Sequence, residues 1–178
     1  MTEADLFRQV ASSITKKKVH DIENAKSVFA EHLRNITKTW KSFSKFVKSQ
    51  CEKQRGVDTQ VLGLMIPKGE KIELFPSPDL MEVGKFKLPK YIKQMMIEEN
   101  SSYEDLYKKL NQGLSALNFG SLASVCNLQP EQIKFYLTEI FSLLVEINRK
   151  TKQDVSLCFK NFGSLQLFKN GEIFFDKE

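Results

Sequence analysis

The stretch Val155-Ser156-Leu157-Cys158-Phe159-Lys160-Asn161-Phe162-Gly163-Ser164-Leu165-Gln166-Leu167-Phe168-Lys169-Asn170-Gly171-Glu172-Ile173-Phe174-Phe175 decides the fold. Val155 to Phe159 alternates apolar and polar side chains as a half-buried strand does, Phe162 and Gly163 make a tight point, and Leu165 to Phe168 resumes the alternation. Asn170-Gly171 is the strongest two-residue hairpin signal, so Ile173 to Phe175 reads as the returning strand. Upstream, Pro130 opens a helix on which Ile133, Leu137, Ile140, Leu144 and Ile147 step by four, three, four and three, which places them on one stripe. Leu114 to Asn127 reads as a further helix ahead of it.

The first half of the chain repeats this order. A helix from about Thr37 to Gln54 carries Ile36, Trp40, Phe43, Val47 and Cys51 on one stripe and is stopped by Gly56. Before it, Glu3 to Ile14 reads as a short helix with Leu6, Phe7, Val10 and Ile14 on one side, ended by a solvated turn at Lys16, Lys17 and Lys18. A second helical stretch follows with Val28, Phe29 and Leu33. After Gly56 come extended chain interrupted by Gly63, a turn at Pro67 and Gly69, and an alternating strand from Lys71 to Phe75. Pro76, Ser77 and Pro78 read as a stiff loop, Lys85 to Leu88 as another strand, and Pro89 as the first turn of a helix through Met96. The acidic stretch Glu98 to Asp105 reads as a linker. Within it, Ser101 and Glu104 have capping-box spacing for a short helix that Gly113 stops. Gly63 and Gly163 lie 100 residues apart at matching corners, an internal repeat. The chain therefore divides into an N-terminal segment (1–24), a first domain (25–98), a linker with a short helix (99–113) and a second domain (114–178). The fold class is α+β, each domain a helical pair packed on a small antiparallel β-sheet.

Of 178 residues, 41% are hydrophobic, which excludes a disordered chain as the main reading. Lys plus Arg number 27 against 22 Asp plus Glu. Residues 1–60 hold 12 basic and 7 acidic side chains, whereas the rest is balanced, so the excess sits in the first third. Three widely spaced cysteines, Cys51, Cys126 and Cys158, suggest neither a disulfide framework nor a zinc site and fit a reducing compartment. Glu3 and Asp5 near the start argue against a secretory signal, and no apolar stretch approaches a membrane span. The expected setting is the cytoplasm.

The segment from Leu128 to Leu167, with its Pro130-opened helix, its Gly163 corner and the hairpin to Phe175, resembles the core of HU/IHF-type domains. More narrowly it resembles the second of the two eukaryotic HU-like domains of the coiled-coil domain-containing protein 81 family. Arg55-Gly56-Val57 through Leu62-Gly63-Leu64 is similar to the first domain of that family, whose helix carries a tryptophan where Trp40 stands. Leu117, Asn118, Phe119, Leu122 and Ala123 resemble the opening of its second domain. The family corner has two glycines flanking an apolar residue. Here its first positions are Val61 and Asn161, of which Asn161 takes a left-handed conformation more cheaply. The resemblance implies tandem HU-like domains forming a pseudo-dimer within one chain, and a setting at the centrosome or cilium, on microtubules, plausible for a component of the ciliary doublet of the axoneme.

HU-type proteins bend DNA with long basic arms tipped by an apolar wedge. The second domain has only a tight hairpin from Leu167 to Ile173 and so lacks that arm. A shortened arm from Pro67 to Lys85 would be net negative, carrying Glu70, Glu73, Asp79 and Glu82. The feature richest in function is a basic ridge, Lys38, Lys41, Lys45 and Lys48, opposite the Trp40 stripe, with Arg55 just beyond. It suits an acidic surface, where lysines bring association rate and salt sensitivity. His20 and His32 lack metal-ligand spacing, no phosphate-binding glycine loop is present, and no paired carboxylates stand out. Tyr103 and Tyr107 suit either an exposed aromatic contact or packing between the domains. The expectation is a non-enzymatic structural or adaptor protein without cofactors or metals, contacting tubulin or microtubule-associated proteins through Lys38, Lys41, Lys45, Lys48 and Arg55. Gly63 and Gly163 are its structural corners. Nucleic acid and membrane are not the expected partners. The competing expectation is an HU-like architectural DNA-binding protein.

Overall fold

The computed structural model describes residues 1–19 and 22–178. Among them are helices α1 (Glu3–Lys18), α2 (Ile22–Glu52), α3 (Pro78–Gly84), α4 (Lys90–Glu99), α5 (Tyr103–Asn111), α6 (Phe119–Cys126) and α7 (Pro130–Thr151). The strands are β1 (Val57–Asp58), β2 (Gly63–Lys68), β3 (Lys71–Pro76), β4 (Ser115–Ala116), β5 (Val155–Phe159), β6 (Gly163–Leu167) and β7 (Ile173–Lys177). A mixed sheet runs β3-β2-β1-β4, with β1 parallel to β4, and an antiparallel sheet runs β5-β6-β7. The class is α+β. No described helix is long and apolar enough to cross a membrane.

Contacts divide the chain into two units, each drawing on both halves of the sequence: Met1–Ser44 with Asn118–Leu144, and Lys45–Leu117 with Val145–Glu178. Helices α2 and α7 contribute residues to both.

The first unit is helical. Thr2 and Asp5 cap the start of α1 reciprocally, and Lys16, Lys17 and Lys18 lie in its last turn, where positive charge complements the helix dipole. The lysine run therefore belongs to the helix and is not a turn after it. Leu6, Phe7, Val10, Ala11 and Ile14 are buried. Phe7 meets Trp40 edge-on at 6.1 Å between ring centres, and Phe141 of α7 meets Trp40 at 6.0 Å and Phe43 at 6.1 Å. The Trp40 indole donates to Glu3 (3.1 Å), which ties the N-terminal helix to α2. Burial raises the Glu3 carboxyl above its ordinary value, and the indole bond pulls the other way. The two helical stretches expected between Val28 and Gln54 are one continuous α2, because no glycine or proline interrupts them. Its stop is Gln54, left-handed at φ 55°, with the Arg55 N–H bonded to the Gln50 carbonyl (3.0 Å). Gly56, expected to stop the helix, comes two residues later.

In the second unit the corner glycines take matching roles. Gly63 has φ 129° and Gly163 φ 149°. A Cβ added at Gly63 would lie 2.1 Å from the Phe75 carbonyl oxygen, and one at Gly163 would lie 2.2 Å from that of Asp176. Both strands leave their corners so close to the next strand that only glycine fits. Asn161 is left-handed (φ 56°), whereas in the first corner Gln60 (φ 62°) takes that conformation instead of Val61. There Thr59 accepts from the Leu62 and Gly63 N–H groups. At the second hairpin the Gly171 N–H bonds back to Phe168 (3.0 Å) and Gly171 has φ 88°, so the connection is Lys169-Asn170-Gly171, one residue longer than expected.

Between the repeats the sequence reading needs correcting. Ser77 caps α3, with Pro78 in its first turn, where a stiff loop is expected. Lys85 to Leu88 forms only a single bridge, Lys87 with Glu172. Pro89 is the cap of α4, and Ser102, not Ser101, caps α5. Leu114 to Asn127 is not one helix: β4 occupies its start and α6 begins at Phe119 behind the Asn118 cap. In the stretch 99–113, Leu106 of α5 is buried in one cluster with Leu64, Phe75 and Ile92. Tyr103 and Tyr107 pack on that cluster and are half-buried. The Tyr103 hydroxyl donates to the Pro76 carbonyl and that of Tyr91 to Leu74, so two outward carbonyls on the β3 edge are satisfied by tyrosines in place of a further strand. Burial pushes all three phenols upward.

Candidate partner-binding surface on helix α2

The surface begins with the period of α2. Ile36, Trp40, Phe43, Val47 and Cys51 are all buried, as their stripe predicts. Burying that stripe fixes the rotation of the helix and turns the residues between outward. Lys38, Lys41 and Lys45 are exposed. Lys48 is half-buried and paired to Glu52 at 3.7 Å across one turn. Lys38, Lys41 and Lys45 enter none of the ion pairs found among the described residues. Arg55 is exposed but stands past the left-handed stop at Gln54, off the helical repeat of the lysines.

One residue escaped the sequence reading. Arg34 is exposed and four residues before Lys38, so the stripe runs Arg34, Lys38, Lys41, Lys45, Lys48, bounded by Glu31 and Glu52. The spacing was there to be read, but a helix begun at Thr37 excludes it. Cys126 at the end of α6 lies against the backbone of this helix, its thiol 3.6 Å from the Lys38 carbonyl and 3.3 Å from the Ser42 hydroxyl.

His32, also on α2, is buried, with Nδ1 2.9 Å from the Tyr136 hydroxyl, to which Asn35 donates (3.5 Å). Burial, then the nearby Lys18, lowers the histidine pKa, while Glu31 opposes them. His32 is a packing residue, and His20 lies outside the described residues. Among the described residues no three His, Cys, Asp or Glu side chains form a group able to hold a metal. Burial pushes the Cys51 thiol up to about 12 and makes it a poor nucleophile.

Neither hairpin forms an arm. Strands β2 and β3 pair from Gly63↔Pro76 to Lys68↔Lys71 and turn at Gly69-Glu70, and β6 and β7 pair from Gly163↔Lys177 to Leu167↔Ile173 and turn through Lys169-Asn170-Gly171. The stretch from Pro67 to Lys85 thus holds an ordinary hairpin end and α3.

No protein-family model matches the chain, and no curated protein matches it.

Proposed function

We propose that this chain is an intramolecular pseudo-dimer of two HU-like domains, related to the coiled-coil domain-containing protein 81 family, and serves as a non-enzymatic structural or adaptor protein of the microtubule cytoskeleton. The order helix, helix and three strands occurs twice, as α1-α2-β1-β2-β3 and α6-α7-β5-β6-β7. Each contact unit takes its elements from both repeats, as expected of two HU-like halves that pair within one polypeptide. The matching strand-to-strand closeness at Gly63 and Gly163 supports the same reading.

The observation that carries the function is the α2 stripe: exposed cations on a helix whose opposite side is anchored by Trp40 and Phe43. Such a stripe offers a rigid row of positive charge to an acidic protein surface, for which tubulin or a microtubule-associated protein in the axoneme or centrosome is the partner we infer. Short hairpins argue against DNA bending, which needs arms that reach the minor groove. Fold analogy alone does not assign a function, so the test is cellular. A tagged full-length chain in ciliated cells should decorate axonemes or centrosomes. Accumulation in the nucleus on chromatin would overturn the proposal in favour of an architectural DNA-binding protein.

A further inference from the structure

The positive row on α2 is closed at both ends. Glu31 and Glu52 lie on the same side of the helix as the stripe from Arg34 to Lys48, and from Glu31 to Glu52 the charged residues step alternately by three and four, which keeps them in one line. Both glutamates are exposed. At about 1.5 Å per residue the cations span about 21 Å and the two glutamates stand about 31 Å apart. Charges in the middle of the row are screened over about 8 Å, so each end carboxylate acts on whatever lies over that end.

Helix electrostatics account for neither glutamate. Glu52 is the last residue of α2, where the helix dipole favours a cation, and its pair with Lys48 runs in the less favourable order, with the cation four residues ahead of the acid. Glu31 enters none of the ion pairs found among the described residues, although Arg34 stands three residues on. A long polyanion laid on this row gains in the middle and is repelled at both ends. Duplex DNA, with one charge per about 1.7 Å of axis, meets both carboxylates. A short acidic patch avoids them, and one with basic groups beyond its acids gains from them. Like-charge contacts of this kind fix register and reject wrong partners.

We propose that Glu31 and Glu52 set the specificity of the stripe: its partner is a protein surface whose acidic row is about 20 Å long, the span of the cations, and carries basic groups past both ends. This deepens the reading of the stripe given above and rests on it.

The test compares the full chain with the double variant Glu31→Lys and Glu52→Lys in two assays, co-sedimentation with microtubules and fluorescence anisotropy with labelled duplex DNA. Circular dichroism checks the fold of the variant. It is expected to bind microtubules roughly fivefold more weakly, because two exposed charge pairs turn to repulsion. It is expected to bind DNA roughly tenfold more tightly, with a steeper loss as salt rises. Glu31→Asp with Glu52→Asp keeps the charges and should keep both affinities close to native. Tighter binding of the lysine variant to both targets would overturn the proposal, since the row would then be a plain polycation, and so would unchanged binding to microtubules. Failure of the native chain to pellet with microtubules would overturn the reading of the stripe itself, and the proposal with it.

Discussion

Replacing the two corner glycines by alanine should destabilise the chain far more than the same change at a third glycine that also has positive φ. An alanine Cβ at Gly163 would sit 2.2 Å from the Asp176 carbonyl oxygen, and at Gly63 it would sit 2.1 Å from that of Phe75, whereas ordinary contact begins near 3.4 Å. Each neighbouring strand must therefore retreat by about 1 Å, enough to break the adjacent ladder hydrogen bonds. Two such bonds at about 1 kcal/mol each, with about 1–3 kcal/mol for the disfavoured backbone, give about 3–5 kcal/mol per corner. Gly69 has φ 63° and nothing within 4 Å of an added Cβ, so Gly69→Ala should cost only about 1–2 kcal/mol. Urea unfolding followed by circular dichroism and by the fluorescence of Trp40, the single tryptophan, measures all three variants on one scale. If Gly63→Ala or Gly163→Ala costs no more than Gly69→Ala, the corners are not the tight points described. A large cost at only one of them would remove their equivalence.

Three further outcomes follow from particular contacts. Tyr91→Phe and Tyr103→Phe remove the donors to Leu74 and Pro76, and each should cost about 1–3 kcal/mol in urea unfolding while leaving the secondary structure intact. Because the folded chain holds the His32 pKa below its ordinary value, the unfolded chain takes up the proton first as pH falls. The stability contributed by neutral His32 is thus complete above pH ~6.5 and lost on acidification through and below it. Melting temperature should fall between about pH 7 and 5 more steeply in the native chain than in His32→Gln; equal slopes would contradict the assignment. With a maleimide at neutral pH, exposed Cys158 should react promptly, and buried Cys51 and Cys126 only on unfolding, as mass spectrometry of the labelled protein would reveal.

The strands of the second half and the apolar stripes of α2 and α7 were legible because burial imposes a period on the side chains. Ile147 is the partial exception, half-buried while Val145 and Asn148 are buried in its neighbourhood. Asn148 is satisfied there by donating to the Gln153 and Leu167 carbonyls, a pairing that no periodicity displays. Helix ends were the weakest reading. Gln54, Lys85, Asn100 and Asn127 all adopt the left-handed conformation that glycine signals, and with glycine absent from those positions the stops moved to wherever glycine stood, such as Gly56. Helix α3 was hidden by reading Pro76-Ser77-Pro78 as a loop, although Ser followed by Pro is also a cap followed by a first turn. Of the candidate surface, the four lysines were legible from spacing. Arg34 was lost with the start of the helix, and the pairing of Lys48 with Glu52 is a side-chain geometry that sequence leaves open.

In the proposed function the α2 stripe meets an acidic protein surface. The direct measurement is co-sedimentation of the purified full chain with microtubules, with and without excess duplex DNA, beside a variant carrying Lys38→Glu, Lys41→Glu and Lys45→Glu. The chain is expected to pellet with microtubules, to stay there in the presence of DNA, and to be released by the charge reversal. No pelleting by the native chain, or its removal from microtubules onto DNA with a steep loss of binding as salt rises, would contradict it.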